Sequence, residues 1–157
     1  MSRYEPWNAE HANALIAAHA HREGALLPIL HALQEEFGCI DREAEPMIAD
    51  ALNISRAEVH GVVTFYHDFR EKPAGRHVLK LCRAEACQAA GGDALAACAE
   101  QRLGVTIGAT TADGRFTLEP VYCLGLCSVS PSAMFDGKIH ARLDEKKLDA
   151  LLSQAER

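Results

Sequence analysis

Four of the six cysteines in this chain occur as two close pairs in two short segments. The segment CRAEAC carries Cys82 and Cys87, and the segment CLGLC carries Cys123 and Cys127. Paired thiols can form disulfides, bind zinc, hold an iron–sulfur cluster or act as a redox dithiol. The choice depends on the cellular compartment and on the elements that position the pairs.

The composition is that of an ordinary globular protein. The 157 residues are 48% hydrophobic and 24% charged, and the net charge of −6 does not favour binding to nucleic acid or to an anionic membrane. The first residues lack the pattern of a signal peptide, and no run approaches the ~20 apolar residues of a membrane span. We therefore expect a cytoplasmic protein without membrane insertion. In a reducing compartment, clustered cysteines favour metal binding or catalysis over disulfides.

The first part of the chain has no alternating strand pattern and predicts helices. Apolar residues between Leu26 and Phe37 recur on one helical face, and Gly38 follows as a stop signal. Ser55 and Glu58 have the spacing of a capping box at the start of a later helix. This part therefore predicts a small helical bundle.

A linker is predicted where the helical pattern of the first part gives way to strand patterns. The segment REKPAGR, residues 70–76, is charged and contains proline and glycine. We expect an α+β protein with a helical N-terminal domain over residues 1–72. A compact α/β domain is expected over residues 73–157.

The second domain is expected to position the thiols at the ends of strands. HVLKLC predicts a strand that ends at Cys82, and RFTLEPVYC predicts one that runs into Cys123. Between them lies a predicted helix with Asp93 as its cap. Asp136 and Gly137 predict a tight hairpin turn. If the two strands are neighbours, both cysteine pairs emerge at the same edge of the sheet.

Spacing alone leaves the chemistry of these pairs open. Zinc suits four cysteines, although its usual C-x2-C pairs are absent, and so is the C-x-x-C of a thioredoxin-like dithiol. The C-x4-C spacing occurs in iron–sulfur ferredoxins, but the plant-type pattern is not met. Small residues in the loops, such as Ala84 and Gly125, allow backbone N–H groups to approach the sulfur atoms, which favours an iron–sulfur cluster.

The combined pattern resembles that of a known family. The spacing C-x4-C…C-x3-C, with CLGLC as its second half and GVVTFY upstream, is similar to the thioredoxin-like 2Fe–2S ferredoxins. These include the 24-kDa-type subunits of complex I and their relatives in NAD-dependent formate dehydrogenases and hydrogenases. The resemblance runs from about Ala25 to the C-terminus. It implies a thioredoxin-like second domain and one 2Fe–2S cluster with Cys82, Cys87, Cys123 and Cys127 as ligands.

The resemblance also implies a function. We expect an electron-transfer subunit of an NAD-dependent oxidoreductase complex that exchanges electrons with a flavin-bearing, NAD-binding partner subunit. The segment CRAEACQAAGG looks most like the gamma subunit of soluble NAD-dependent formate dehydrogenase. The corresponding subunits of complex I or of an NAD-linked hydrogenase are alternatives. An alternative of another class is a zinc-stabilised interaction module without a redox role.

No other motif predicts a site in this chain. It has neither G-x-G-x-x-G nor G-x-x-x-x-G-K-[ST], so we expect no nucleotide site, and no catalytic acid, base or nucleophile is predicted. Cys39 and Cys98 fall at a helix end and within a helix, where small apolar core residues are common. We therefore expect these two cysteines to be structural.

Overall fold

The computed structural model describes residues 4–155, which form two compact units that divide between Pro73 and Ala74. The described residues contain α-helices and one mixed four-stranded sheet, which confirms the α+β class. None of the described helices has the length and hydrophobicity needed to cross a membrane. Each unit has its own apolar core.

The first unit consists of helices and short connections. Its helices are α1 (Ala9–His19), α2 (Leu26–Phe37), α3 (Ala44–Leu52) and α4 (Arg56–Phe65). Their apolar faces meet in a core that includes Ile16, Leu30, Leu33, Ile48 and Val59. Burial of such a side chain contributes about 1.5–3 kcal/mol.

The ends of these helices follow the predicted local signals. Gly38 ends α2 with a φ of 77°, a conformation that glycine adopts without steric cost. Ser55 and Glu58 form the predicted capping box: the Ser55 hydroxyl accepts from the Glu58 backbone N–H, and the Glu58 carboxylate accepts from the Ser55 backbone N–H. The two side chains thereby provide acceptors for backbone donors at the start of α4.

The second unit is built on the sheet. Its elements are β1 (His77–Cys82), α5 (Glu85–Ala89), α6 (Gly92–Leu103), β2 (Phe116–Val121), a 3-10 turn (Cys127–Val129), β3 (Ala133–Phe135), β4 (Lys138–His140) and α7 (Glu145–Ala155). The strand order is β2-β1-β3-β4. Strands β1 and β2 are parallel, whereas β3 is antiparallel to both β1 and β4.

The core of this unit lies between the sheet and the two longer helices. Helix α6 contacts β1, β2 and α7. Leu79 and Leu118 from the sheet are fully buried in one cluster with Leu95 of α6 and Leu148 of α7. The core thus fixes β1 and β2, from which the cysteine segments emerge.

Three local predictions in this unit can be compared with the structure. The predicted hairpin turn is present, because Asp136 and Gly137 have φ values of 47° and 80° between β3 and β4. Two other predictions were wrong. Asp93 does not cap α6, since Gly91 occupies the cap position, and β2 ends at Val121 before reaching Cys123.

Candidate metal centre

The parallel pairing of β1 and β2 brings the two cysteine segments to the same edge of the sheet. Cys82, the last residue of β1, is in register with Val121, the last residue of β2. The Arg83 backbone N–H extends this pairing by donating to the Val121 carbonyl at 2.8 Å. Parallel strands have their carboxyl ends on the same side, so both segments leave the sheet there.

The first cysteine pair is buried. Cys82 is 4% exposed and Cys87 is 2% exposed. Cys87 lies on the short helix α5, whereas the sequence predicted a simple loop at this point. Its Sγ lies 3.5 Å from the hydroxyl of Ser132, which is also buried. Both thiols are therefore held by packed elements.

The second cysteine pair lies at the surface. Cys123 has a φ of 84°, a left-handed conformation that few residues other than glycine adopt. Cys127 opens the 3-10 turn, and the two Sγ atoms are 3.7 Å apart. Two thiolates bound to one tetrahedral metal, with metal–sulfur bonds of about 2.3 Å, are separated by about 3.8 Å. The second pair therefore has the spacing needed to bind one metal atom.

Backbone N–H groups point at the sulfur atoms. The Gly125 N–H donates to Cys123 Sγ at 3.3 Å. Burial acts to raise the pKa of Cys82, but hydrogen bonds outweigh it and the net pKa is lowered. These bonds involve the backbone of Ala84, the Cys87 thiol and the backbone of Cys123 and Leu124. The segment after β2 thus stabilises a thiolate at the end of β1.

The thiols of both pairs also affect one another. The pKa of Cys127 is raised, first by its hydrogen bond and charge interaction with Cys123 and further by the charges of Cys87 and Cys82. The charges of the other three thiols thus oppose the ionisation of Cys127. The positive charge of a bound cation offsets that repulsion. Metal-bound cysteines are accordingly deprotonated.

The donor set fits an iron–sulfur cluster. Four sulfurs arranged as two pairs match two iron atoms with two thiolates each, and the surrounding N–H groups suit a cluster with net negative charge. Within residues 4–155, no three or more His, Cys, Asp or Glu side chains lie together in a group that could hold a metal ion. The fit therefore rests on the spacing of the second pair and on the strand register that brings both segments to one edge of the sheet.

The remaining two cysteines have different surroundings. Cys39 belongs to the helical unit, where burial and the nearby Asp41 raise the pKa of its thiol. Cys98 is half-buried on α6 and packs against the core of the sheet unit. Neither thiol is among the groups that shift the pKa of Cys82 or Cys127.

Sequence reasoning missed two residues that contact Cys87. One is Ser132, which is 45 positions away along the chain. The other is Gly92, where an added Cβ would lie 2.6 Å from the Cys87 carbonyl oxygen. Ser132 belongs to no recognisable motif, and Gly92 ends the segment CRAEACQAAGG, but only the packing of α5, α6 and β3 shows that both contact Cys87.

Comparison with known proteins gives the class of this chain. The sequence model of the thioredoxin-like [2Fe-2S] ferredoxin family matches residues 12–156. The chain therefore belongs to this family, which confirms the resemblance and the thioredoxin-like second domain. Family membership and the four convergent thiols indicate one 2Fe–2S cluster.

Three relatives of this chain are named subunits of redox enzymes. The chain is 37% identical over 143 residues to the second E-type subunit of NADH-quinone oxidoreductase from Rhizobium meliloti (strain 1021), covering 91% of this chain and 85% of that protein. It is 38% identical over 130 residues to the E-type subunit of the same enzyme from Escherichia coli (strain K12), covering 83% and 78%. It is 31% identical over 133 residues to the HndA subunit of NADP-reducing hydrogenase from Solidesulfovibrio fructosivorans, covering 85% and 78%.

A solved structure shares the fold. A chain of an NAD+-reducing [NiFe]-hydrogenase in the air-oxidised state superposes with a TM-score of 0.72 at 27% sequence identity. The match covers 83% of the present chain but only 22% of the hydrogenase chain. The present protein thus corresponds to one part of that larger polypeptide.

Proposed function

We propose that this chain is the 2Fe–2S electron-transfer subunit of an NAD-linked oxidoreductase complex. Cys82, Cys87, Cys123 and Cys127 would hold the cluster, one close pair for each iron atom. The observation that carries the proposal is the parallel register of β1 and β2, which brings both cysteine segments to the same edge of the sheet. When bound, the cluster supplies one-electron chemistry that amino-acid side chains lack.

The chain itself holds and orients this group. Cys82 and Cys87 are buried, whereas Cys123 and Cys127 are exposed, so the second pair marks the side open to a redox partner. The N–H groups near Cys82 and Cys123 stabilise negative charge on sulfur. No residue of this chain is assigned as a catalytic acid, base or nucleophile.

The proposed partner is a flavin-bearing, NAD-binding subunit. The relatives named above are subunits of NADH- and NADP-linked enzymes, which supports a place in a multi-subunit complex. Among such complexes we favour a cytoplasmic NAD-dependent formate dehydrogenase, in which this chain is the gamma subunit. The support for this choice is the first cysteine segment, CRAEACQAAGG. Complex I and an NAD-linked hydrogenase are the alternatives.

The cofactor is tested by metal and sulfide analysis of the purified chain. We expect two irons and two acid-labile sulfides per chain, a reddish-brown colour and a paramagnetic signal after reduction. Stoichiometric zinc without iron or labile sulfide would contradict the proposal. It would instead support a zinc-stabilised interaction module.

The complex is tested by identifying the subunits that co-purify with the chain in its native host. We expect a flavin-bearing subunit that lets NADH reduce the cluster, and formate-dependent reduction of NAD by the intact complex. The isolated chain should catalyse neither reaction. Turnover with hydrogen or with quinone, and none with formate, would assign the chain to a hydrogenase or to complex I.

A further inference from the structure

A buried hydroxyl lies beside one of the proposed ligands. Ser132 is 2% exposed, and its Oγ lies 3.5 Å from the Sγ of Cys87, itself 2% exposed. Buried hydroxyl groups in folded proteins nearly always have a hydrogen-bond partner. Cys87 Sγ is the partner that the structure gives to this hydroxyl.

The position of Ser132 is fixed by the sheet. It immediately precedes β3, whose first residue, Ala133, pairs with Leu81 of β1. The Ser132 carbonyl accepts a hydrogen bond from the Cys82 backbone N–H at 3.1 Å. Ser132 therefore contacts both cysteines of the first pair, the backbone of one and the sulfur of the other.

The direction of the hydrogen bond follows from the ligand chemistry. Between a thiol and a hydroxyl, either group can donate. A thiolate bound to iron has no proton, so only the Ser132 hydroxyl can then donate. A donor at this distance stabilises negative charge on the Cys87 sulfur.

On the basis of the function proposed above, we propose that Ser132 is a positioning residue. Its hydroxyl raises the reduction potential of the 2Fe–2S cluster through an O–H···S hydrogen bond to Cys87. Reduction adds one negative charge to the cluster and its ligands. A hydrogen bond to a ligand sulfur therefore stabilises the reduced form more than the oxidised form. Because the site is buried, water does not replace the hydroxyl when it is removed.

The test measures the potential of the cluster in the full-length chain by redox titration, followed by visible absorption and by the paramagnetic signal. Ser132→Ala should lower the ratio of reduced to oxidised cluster at a fixed potential by about threefold to tenfold. For a one-electron couple this corresponds to a shift of about 30–60 mV to lower potential. Ser132→Thr, which retains a hydroxyl, should stay close to the unmodified chain.

Two controls separate this effect from a general disturbance. Ser128→Ala removes an exposed hydroxyl next to Cys127, for which the structure shows no hydrogen bond to sulfur, and should leave the potential unchanged. Ser132→Val matches the shape of threonine without its hydroxyl and should behave like Ser132→Ala.

A normal content of iron and sulfide in Ser132→Ala with an unchanged potential overturns the inference and leaves the proposed function standing. Absence of iron and sulfide from the unmodified chain overturns the proposed function itself. If Ser132→Ala fails to assemble a cluster, assembly in Ser132→Thr still supports a role for the hydroxyl, and failure in both variants contradicts it.

Discussion

The four cysteines differ in how they are held, although they are chemically alike. Cys82 and Cys87 are fixed by a strand and a helix inside the protein, whereas Cys123 and Cys127 lie on an exposed segment. Exposed thiolates exchange ligands and protons with solvent more readily than buried ones. The second pair is therefore expected to be the first to release its metal.

Single cysteine substitutions test the ligand set. Cys82→Ser, Cys87→Ser, Cys123→Ser and Cys127→Ser should each lower the content of intact cluster severalfold, because each removes one of four thiolates. Visible absorption and the reduced-state paramagnetic signal measure this loss.

Cys39→Ser and Cys98→Ser are the matched controls. Both should retain the spectra of the unmodified chain, since Cys39 belongs to the helical unit and Cys98 packs against the core. Loss of the spectra in either control, with a folded protein, would place that cysteine in the ligand set instead.

At the scale of elements, the junction between α5 and α6 holds Cys87 in place. Gly92, the first residue of α6, approaches the Cys87 backbone so closely that an added Cβ would lie 2.6 Å from its carbonyl oxygen and 2.9 Å from its carbonyl carbon. Backbone atoms cannot move aside as the end of a flexible side chain can. The close approach therefore requires glycine at this position.

Gly92→Ala should displace Cys87 and lower the free energy of unfolding of the sheet unit by about 1–3 kcal/mol, the usual cost of overpacking. Cluster content should fall as well. Gly61→Ala on α4 is the matched control, since its Cβ would meet nothing within 4 Å and alanine favours helices by up to about 1 kcal/mol. Equal effects of the two substitutions on cluster content would argue against this role for Gly92.

The capping box of α4 gives a second prediction at this scale. Ser55→Ala removes the side-chain acceptor for the Glu58 N–H and should lower the free energy of unfolding of the helical unit by about 1 kcal/mol. Urea denaturation of the two proteins, monitored by circular dichroism, measures this difference.

The capping box of Ser55 and Glu58 should also make the free energy of unfolding depend on pH. Hydrogen bonds from the Ser55 backbone and side chain lower the pKa of Glu58 in the folded protein. The contribution of the carboxylate to the free energy of unfolding is therefore present above the ordinary pKa of glutamate. It is lost as the pH falls through the lowered pKa of the folded protein. Ser55→Ala should show a weaker dependence on pH in this acidic range, and an unchanged dependence would contradict the assignment.

At the scale of the whole molecule, the two units have separate cores and are proposed to have separate roles. All four proposed ligands lie in the unit that begins at Ala74. The helical unit contains none of them. A bundle this small buries little surface of its own, so part of its apolar surface is available to a partner subunit.

A truncated chain that begins at Ala74 should therefore still assemble the cluster but bind the flavin-bearing partner more weakly. Cluster assembly needs only the two cysteine segments and their strands, whereas a stable interface needs a large buried area. Absorption measures the cluster, and co-purification measures binding. A truncated chain that is folded but lacks the cluster would show that the helical unit contributes to the site.

The features that sequence reasoning predicted correctly depend on neighbouring residues. The strand that ends at Cys82, the glycine stop at Gly38, the capping box and the tight turn at Asp136 all follow from backbone preferences and contacts within a few positions. The pairing of the cysteines could likewise be recognised from spacing, because each pair lies within one short segment.

The tertiary structure decided which atoms surround the thiols. Asp93 was predicted to cap α6 but forms an ion pair with Arg83 instead, at 2.9 Å, because the loop after β1 folds toward that helix. The parallel register of β1 and β2 brings Cys82 near the backbone of Cys123, and β3 brings Ser132 to Cys87. The contacts of Cys82 and Cys87 join residues far apart in the chain, and strand pairing and core packing select them, so no short stretch of sequence encodes them.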